Sequence, residues 1–207
     1  MARPGGFRVA RFGDEYSYSD IATRRMFGDS ASVVVLKDFD GCLKAAAADV
    51  GTVAMVPVYN AANKKISCED SVPVMDRAES MGLRVLAELD LPVDHVLASF
   101  GRLEEITTVI SKDEALAQCS RIINDRGWRR LSAIPGSSAT LSTSAAVRHV
   151  ADKRFRAMAA IGSEDAAEHY GVPIVKRNIA DSPDNKTTFH AYVRADSPVP
   201  APGKRGP

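Results

Sequence analysis

Short runs of β-branched and apolar residues alternate along the chain with stretches whose apolar positions recur every three or four residues. Ser32–Leu36 (SVVVL), Thr52–Val58 (TVAMVPV), Leu83–Ala87, Ile106–Ile110 (ITTVI), Met158–Ile161 and Pro173–Val175 are the predicted strands. Each is short, apolar and bounded by Gly, Asp or Asn, as strands buried in a parallel sheet are. Between them Phe39, Leu43, Ala46, Ala47 and Val50 form the stripe of an amphipathic helix, and Ala115, Leu116, Cys119, Ile122 and Ile123 form another. This alternation predicts an α/β architecture with right-handed crossovers. Asp90–Leu103 mixes Pro, Asp and Gly with apolar residues and is expected to carry the chain from one lobe to another. From Ser197 the sequence SPVPAPGKRGP reads as a Pro/Gly tail without enough apolar surface to order itself.

Composition narrows the choice of partner. In 207 residues, 45% hydrophobic, 27 Lys and Arg stand against 26 Asp and Glu, a net charge of +1. So even a balance exerts no general pull on a polyanion, and 6% aromatic content with one Trp disfavours a base-stacking surface. Neither nucleic acid nor a membrane is the expected partner, because no run approaches the roughly 20 apolar residues of a membrane span. The opening MARPGGFRVARFG reaches a strand-like run too soon for a secretory signal, so a cytoplasmic protein is expected. Cys42, Cys68 and Cys119 lie far apart within apolar patterns and read as reduced core thiols. The scattered His95, His149, His169 and His190 give no metal-ligand spacing.

Candidate chemistry sits where hydroxyls precede helical patterns. Phe12–Asp20 (FGDEYSYSD) precedes the Ile21–Phe27 segment, and Ser111-Lys112-Asp113-Glu114 has the spacing of a capping box ahead of the Ala115 stripe. Ser142-Thr143-Ser144 precedes Ala145-Ala146-Val147. Helix amino termini hold carboxylates and phosphates well, yet Ser and Thr are also ordinary N-caps, so either role is open for each segment. A fourth segment, Asp181–His190, begins as a turn at Pro183 and ends in the alternating run TTFHAYV. Polar groups where a turn enters a strand are positioned and accessible. The residues by themselves describe an α/β protein that binds a small acid.

The same segments, in order, resemble the catalytic domain of prephenate dehydratase. The family's Gly-Pro-x-Gly-Thr-x-Ser falls on Gly13–Ser19, its Pro-x-Glu-Asn-Ser on Pro57–Ala61, and its Ser-His-Pro-x-Ala-Leu-x-Gln-Cys on Ser111–Cys119. Its Ser-Thr-Ala turn falls on Ser142–Ser144, and its Asp-x-x-x-Asn-x-Thr-Arg-Phe on Asp181–Phe189. The resemblance implies two α/β lobes of the type II periplasmic-binding-protein kind with a cleft between them, in a single catalytic domain over residues 1–194. Lobe 1 is expected at 6–82 plus 178–194, lobe 2 at 90–177, and a tail at 195–207. It further implies a prephenate-like dianion as substrate, no cofactor or metal, and a homodimer. Thr187 takes the catalytic position. Tyr16, Ser17, Tyr59, Asn60, Ser142, Thr143, Ser144, Asn185, Thr188 and Phe189 take substrate-binding positions. The ten residues are carried over by motif, not by geometry.

The sequence departs from the family pattern at the binding loops. Thr188 stands for Arg, Tyr59 for Glu, Tyr16 for Gly, and Lys112-Asp113 for His-Pro. Thr cannot replace a planar bidentate carboxylate partner, and a Tyr in a loop Gly position loses easy access to positive φ. The regulatory ACT domain of feedback-controlled dehydratases is not expected after the last motif. The pattern is more similar to the family's prephenate decarboxylases of antibiotic pathways, which also carry Ser-Thr-Ser-Ala-Ala. Their reaction removes the ring carboxylate and keeps the ring hydroxyl. Dehydration to phenylpyruvate is the alternative, favoured by the retained Asn185 and Thr187. A catalytically silent binding protein and a small-acid carrier are the readings outside enzymology.

Overall fold

The computed structural model describes residues 6–28, 31–62, 64–136 and 141–203. The chain builds β1 (Arg8–Phe12), α1 (Tyr18–Phe27), β2 (Ser32–Leu36), α2 (Phe39–Ala48), β3 (Thr52–Asn60), β4 (Lys64–Lys65), α3 (Val74–Ser80) and β5 (Leu83–Pro92). It continues through β6 (Val96–Ala98), β7 (Thr108–Ile110), α4 (Asp113–Gln118), α5 (Ser120–Asp125) and β8 (Arg129–Leu131). Then come α6 (Thr143–Lys153), β9 (Met158–Gly162), α7 (Glu164–His169), β10 (Ile174–Lys176) and β11 (Lys186–Arg194). These elements form two α/β units. The first holds residues up to Gly13, Tyr18–Pro92 and the chain from Lys186 onward, and the second holds Asp14–Ser17 and Val93–Asn185. The boundaries thus fall later than the sequence places them, at Pro92–Val93 and Asn185–Lys186, and the short Asp14–Ser17 segment was not foreseen as part of the second unit.

The first unit is a sheet in the order β2-β1-β3-β11-β5, with β4 attached to β3. β1 runs parallel to β2 and β3, whereas β11 is antiparallel to both β3 and β5, so the sheet is mixed where the apolar strand runs predict parallel pairing. Strand alternation sends Ala54, Val56 and Tyr192 to one face, where Cys42, Leu43 and Ala46 of α2 and Val74 and Ala78 of α3 cover them. Val9, Val53, Met55, Phe189 and Ala191 face the other way, under Ile21, Ala22 and Met26 of α1. Asp38 starts α2 by accepting from the Gly41 N–H at 2.6 Å. The SVVVL run is not a buried strand: β2 is an edge, and Val35 is 56% exposed. Residues 195–203 also differ from the expected disordered tail. Ser197 Oγ donates to Val50 O at 2.5 Å, and Val199 enters the α1-side core, so one apolar side chain among the prolines suffices to dock them. Residues 204–207 lie outside the described residues.

The second unit is a five-stranded sheet, β10-β6-β9-β7-β8, again mixed: β6 is antiparallel to β9 and β10, and β7 is parallel to β8 and β9. Val147 and Val150 of α6 and Ala166 and Ala167 of α7 cover Val96, Ala98, Ile110 and Ala160 on one face. Leu116, Ile123 and Trp128 cover Leu97, Val109 and Ile161 on the other. The amino end of α6 comes so close to β9 that a Cβ on Gly162 would lie 2.6 Å from Val147 Cγ2 and 3.3 Å from Thr143 O. Here the absence of a side chain sets where α6 begins. The stripe from Ala115 to Ile123 is two helices rather than one, broken at Cys119. The break is stabilised by Asp181: its N–H donates to Gln118 O at 2.7 Å, and its carboxylate accepts from the Arg121 N–H at 3.0 Å and Ser120 Oγ at 2.6 Å. Ser111 does not cap α4. Lys112 is its N-cap residue, and Ser111 Oγ instead donates to Ile161 O at 2.6 Å inside the core. Among the described residues, no helix is long and apolar enough to cross a membrane.

Candidate functional site

In the first unit the site residues gather where β3 and β11 end their pairing. Thr188 pairs with Tyr59 but Phe189 pairs with Pro57, so Val58 is an extra residue on β3. Strict alternation would place Asn60 on the side of Val56 and Val58, away from Thr187. The bulge turns it back. Asn60 Nδ2 then donates to Thr187 Oγ1 at 2.9 Å and to Lys186 O at 3.2 Å, while Asn60 Oδ1 accepts from the Ala62 N–H at 3.0 Å. Both side chains are buried. Because the Thr187 oxygen already accepts from an amide, its own proton is directed to a different acceptor.

Thr188 is held apart from this pair, on the opposite face of β11. Its hydroxyl donates to Asp90 Oδ1 at 2.6 Å, and Lys186 Nζ approaches Asp90 Oδ2 at 2.5 Å. The Lys186 and Thr188 hydrogen bonds hold the Asp90 carboxyl below the usual carboxylate range, and the same Asp90 raises the Lys186 ammonium. Asp90 and Lys186 were missed from the sequence; cross-strand register alone brings them to Thr188. Tyr59, opposite Thr188, remains 37% exposed. Farther along this face His190 bonds both Tyr192 OH (2.9 Å) and Glu88 Oε2 (3.0 Å). Burial pushes the Tyr192 hydroxyl up to about 12, with the Glu88 charge adding to it. Phe189 is not a surface contact. Its residue exposure is 2%, and its ring packs with Val9, Met55 and Leu91.

In the second unit the Asp14–Ser17 segment lies against the starts of α6 and α7. Ser142 caps α6 by accepting from the Ala145 N–H at 2.9 Å and donates its own proton to Asp14 Oδ2 at 2.5 Å. Ser144 Oγ donates to Glu15 O at 2.5 Å, and Ser163, the cap of α7, donates to Tyr16 O at 3.2 Å. Thus Ser142 is both a cap and a binder, but what it binds here is the protein's own Asp14. Thr143, Ser17 and Asn185 are buried, and Asn185 O accepts from the Val93 N–H at 2.8 Å. Tyr16 takes φ +59, the left-handed conformation that a Gly would adopt at no cost. For a Tyr this costs about 1–2 kcal/mol. Its ring stacks on His169 with centroids 3.8 Å apart, a contact that offsets the strain.

The three cysteines and His95 are buried in the cores. Burial pushes the Cys42 and Cys119 thiols up to about 12, with Asp38 and Asp181 respectively adding to it, and all three cysteines are free and buried. His95, 1% exposed, donates from Nε2 to Gln118 Oε1 at 2.9 Å, and burial depresses its basicity below the ordinary value of 6.5. The folded state therefore resists a proton that the unfolded chain accepts. Stability is complete above about pH 6.5 and falls as pH drops from there toward the folded value. A melting-temperature series from pH 7.5 to 5 is expected to slope downward below about pH 6.5, and His95→Gln to flatten that slope. An unchanged slope in His95→Gln would assign the acid sensitivity to other groups.

The family described as prephenate dehydratase matches residues 9–196. The chain belongs to the prephenate dehydratase family. A prephenate dehydratase of Methanocaldococcus jannaschii is 33% identical over 141 residues, 68% of this chain and 47% of that protein. A bifunctional chorismate mutase/prephenate dehydratase of Enterobacter agglomerans is 31% identical over 193 residues, 90% of this chain and 47% of that protein. The chain spans about half the length of these curated relatives. The crystal structure of the prephenate dehydratase from Staphylococcus aureus has a TM-score of 0.74 at 19% identity, covering 90% of this chain and 66% of that one, a likeness of fold. The family's Asp-x-x-x-Asn-x-Thr pattern thus divides by role here. Asp181 holds the α4–α5 break, Asn185 is buried at the boundary of the second unit, and Thr187, in the first, is buried with its oxygen accepting from Asn60.

Proposed function

We propose that this member of the prephenate dehydratase family is a lyase that decarboxylates prephenate, or a close dianionic analogue, and keeps the ring hydroxyl. The observation that carries this reading is Thr188. In the place of the family's arginine stands a hydroxyl whose single proton goes to Asp90, beside a Lys186 that neutralises the same carboxylate. The planar two-point grip of a guanidinium is replaced by a neutral cluster, so the substrate is held differently from the way a dehydratase holds it. Tyr16 and Tyr59 stand where the family pattern has a loop Gly and a Glu. In the proposed reaction the bond from the ring to its carboxylate breaks and carbon dioxide leaves. The electron pair enters the ring, a ring carbon takes a proton from solvent, and the carbon–oxygen bond stays intact. Thr187 holds the ring hydroxyl, and no metal or organic cofactor takes part.

Dehydration is the second reading, and the Asn60–Thr187 pair supports it. An amide that donates to Thr187 Oγ1 leaves that hydroxyl's proton for an acceptor such as a departing hydroxyl. In that route the same electron pair expels the ring hydroxyl, which leaves as water, and the product is phenylpyruvate. Incubation of the purified protein with prephenate, followed by mass and ultraviolet absorbance, separates the readings. A non-aromatic keto acid formed one-for-one with carbon dioxide is the expected result. Phenylpyruvate as the sole product would establish the dehydratase instead, and unconsumed prephenate would leave only the fold.

A further inference from the structure

The loop that carries the family's first motif is closed at its base by a buried ion pair. Arg11, near the end of β1, places Nη2 2.8 Å from Oδ1 of Asp20 in the first turn of α1, with the two side chains 3% and 5% exposed. The segment between them, Phe12–Ser19, contains the whole Gly13–Ser19 pattern. Arg24 Nε binds the second Asp20 oxygen at 2.9 Å, one turn along α1, and Arg11 Nη1 donates to the Gly13 carbonyl. Gly13, at φ +93, is the last residue before the chain enters the second unit.

Stability alone does not account for this pair. Taking two charges out of water costs as much as their attraction returns, and a packed apolar pair would join β1 to α1 at least as well. Val9 and Ile21, close by in sequence, already do so in the α1-side core. What an apolar pair lacks is the forked, planar donor set that binds a carboxylate and a backbone carbonyl at once. We propose that Arg11, held by Asp20, is a positioning residue that fixes the Gly13 peptide and so orders the Gly13–Ser19 motif segment in advance. The proposal rests on the reading that Tyr16 and Ser17 meet the substrate. A loop ordered in advance charges less of its ordering entropy to binding, so the clamp acts on affinity more than on the chemical step.

The test is the double variant Arg11→Met/Asp20→Leu, beside Arg11→Lys. The double variant is expected to melt at or near the parent temperature, because the buried charges leave together. Amide hydrogen exchange in the peptide spanning residues 12–19 is expected to quicken by about tenfold. The prephenate KM is expected to rise by about tenfold while kcat stays within about threefold. Arg11→Lys, which keeps the charge but not the fork, is expected to move exchange and KM in the same direction. Parental exchange and KM in the double variant overturn the clamp. If the double variant does not fold, the same two readouts on Arg11→Lys decide. If the parent leaves prephenate untouched, the functional reading falls by itself, and the exchange rates alone decide the clamp.

Discussion

Thr187→Val turns prephenate over about a hundredfold more slowly than the parent, the scale of loss that follows when a group holding the substrate in its reactive position is removed. Valine keeps the branched shape of threonine and removes only the hydroxyl, so β11 and its pairing to Asn60 on β3 stay in register. The loss of an acceptor leaves Asn60 Nδ2 short of one partner, which costs about 1–3 kcal/mol of stability. Thr187→Ser separates the two effects: it restores an oxygen for Asn60 and a proton for the substrate, and is expected to keep activity within about tenfold of the parent. Steady-state kinetics with prephenate, read beside melting curves, check both variants. Parental kcat in Thr187→Val would remove Thr187 from the chemistry under either product outcome, because both routes need something to hold or protonate the ring hydroxyl.

Phe189→Ala is expected to act on folding instead. The ring lies among Val9, Met55 and Leu91, and its removal opens a cavity in the α1-side core of the first unit. Truncating a buried phenylalanine costs about 3–5 kcal/mol. At roughly 2–4 °C per kcal/mol for a chain of this size, the melting temperature falls by roughly 6–20 °C. Phe189→Leu fills most of the space and is expected to lose about 1 kcal/mol while keeping the parental KM and kcat. A Phe189→Leu variant with intact stability and a much-raised KM would return the ring to the substrate. The motif sets Phe189 two residues from Thr187, so the strand's alternation puts both on one face of β11, where Phe189 packs into the apolar core and Thr187 meets Asn60.

The elements most legible in the sequence were those fixed by local periodicity. The α2 stripe starting at Phe39 and the strands at Thr52 and Met158 begin where the pattern puts them, because apolar spacing and an Asp or Gly at the end act over a few residues. Strand direction and edge position depend on pairings made over long distances. For that reason SVVVL looked like an interior strand and is an edge, and TTFHAYV gave no sign that it lies between β3 and β5. The site divided in the same way. The motif frame brought Asn60 and Thr187 forward, and they are in contact. Nothing local pointed to Asp90, which meets Thr188 only through the register of β5 with β11, or to Asp14 as the partner of Ser142. The broken stripe at Cys119 depended on Asp181, some sixty residues away.

The place of β11 in the first sheet has a consequence for biosynthesis. β1 to β5 leave the ribosome well before β11, yet β3 and β5 join only through it. The second unit, contiguous from Val93 to Asn185 apart from four early residues, is complete while the first still lacks an interior strand. Until Lys186–Arg194 emerges, two apolar strand edges stand unpaired in the nascent chain, which makes that interval the one in which a chaperone has most to protect.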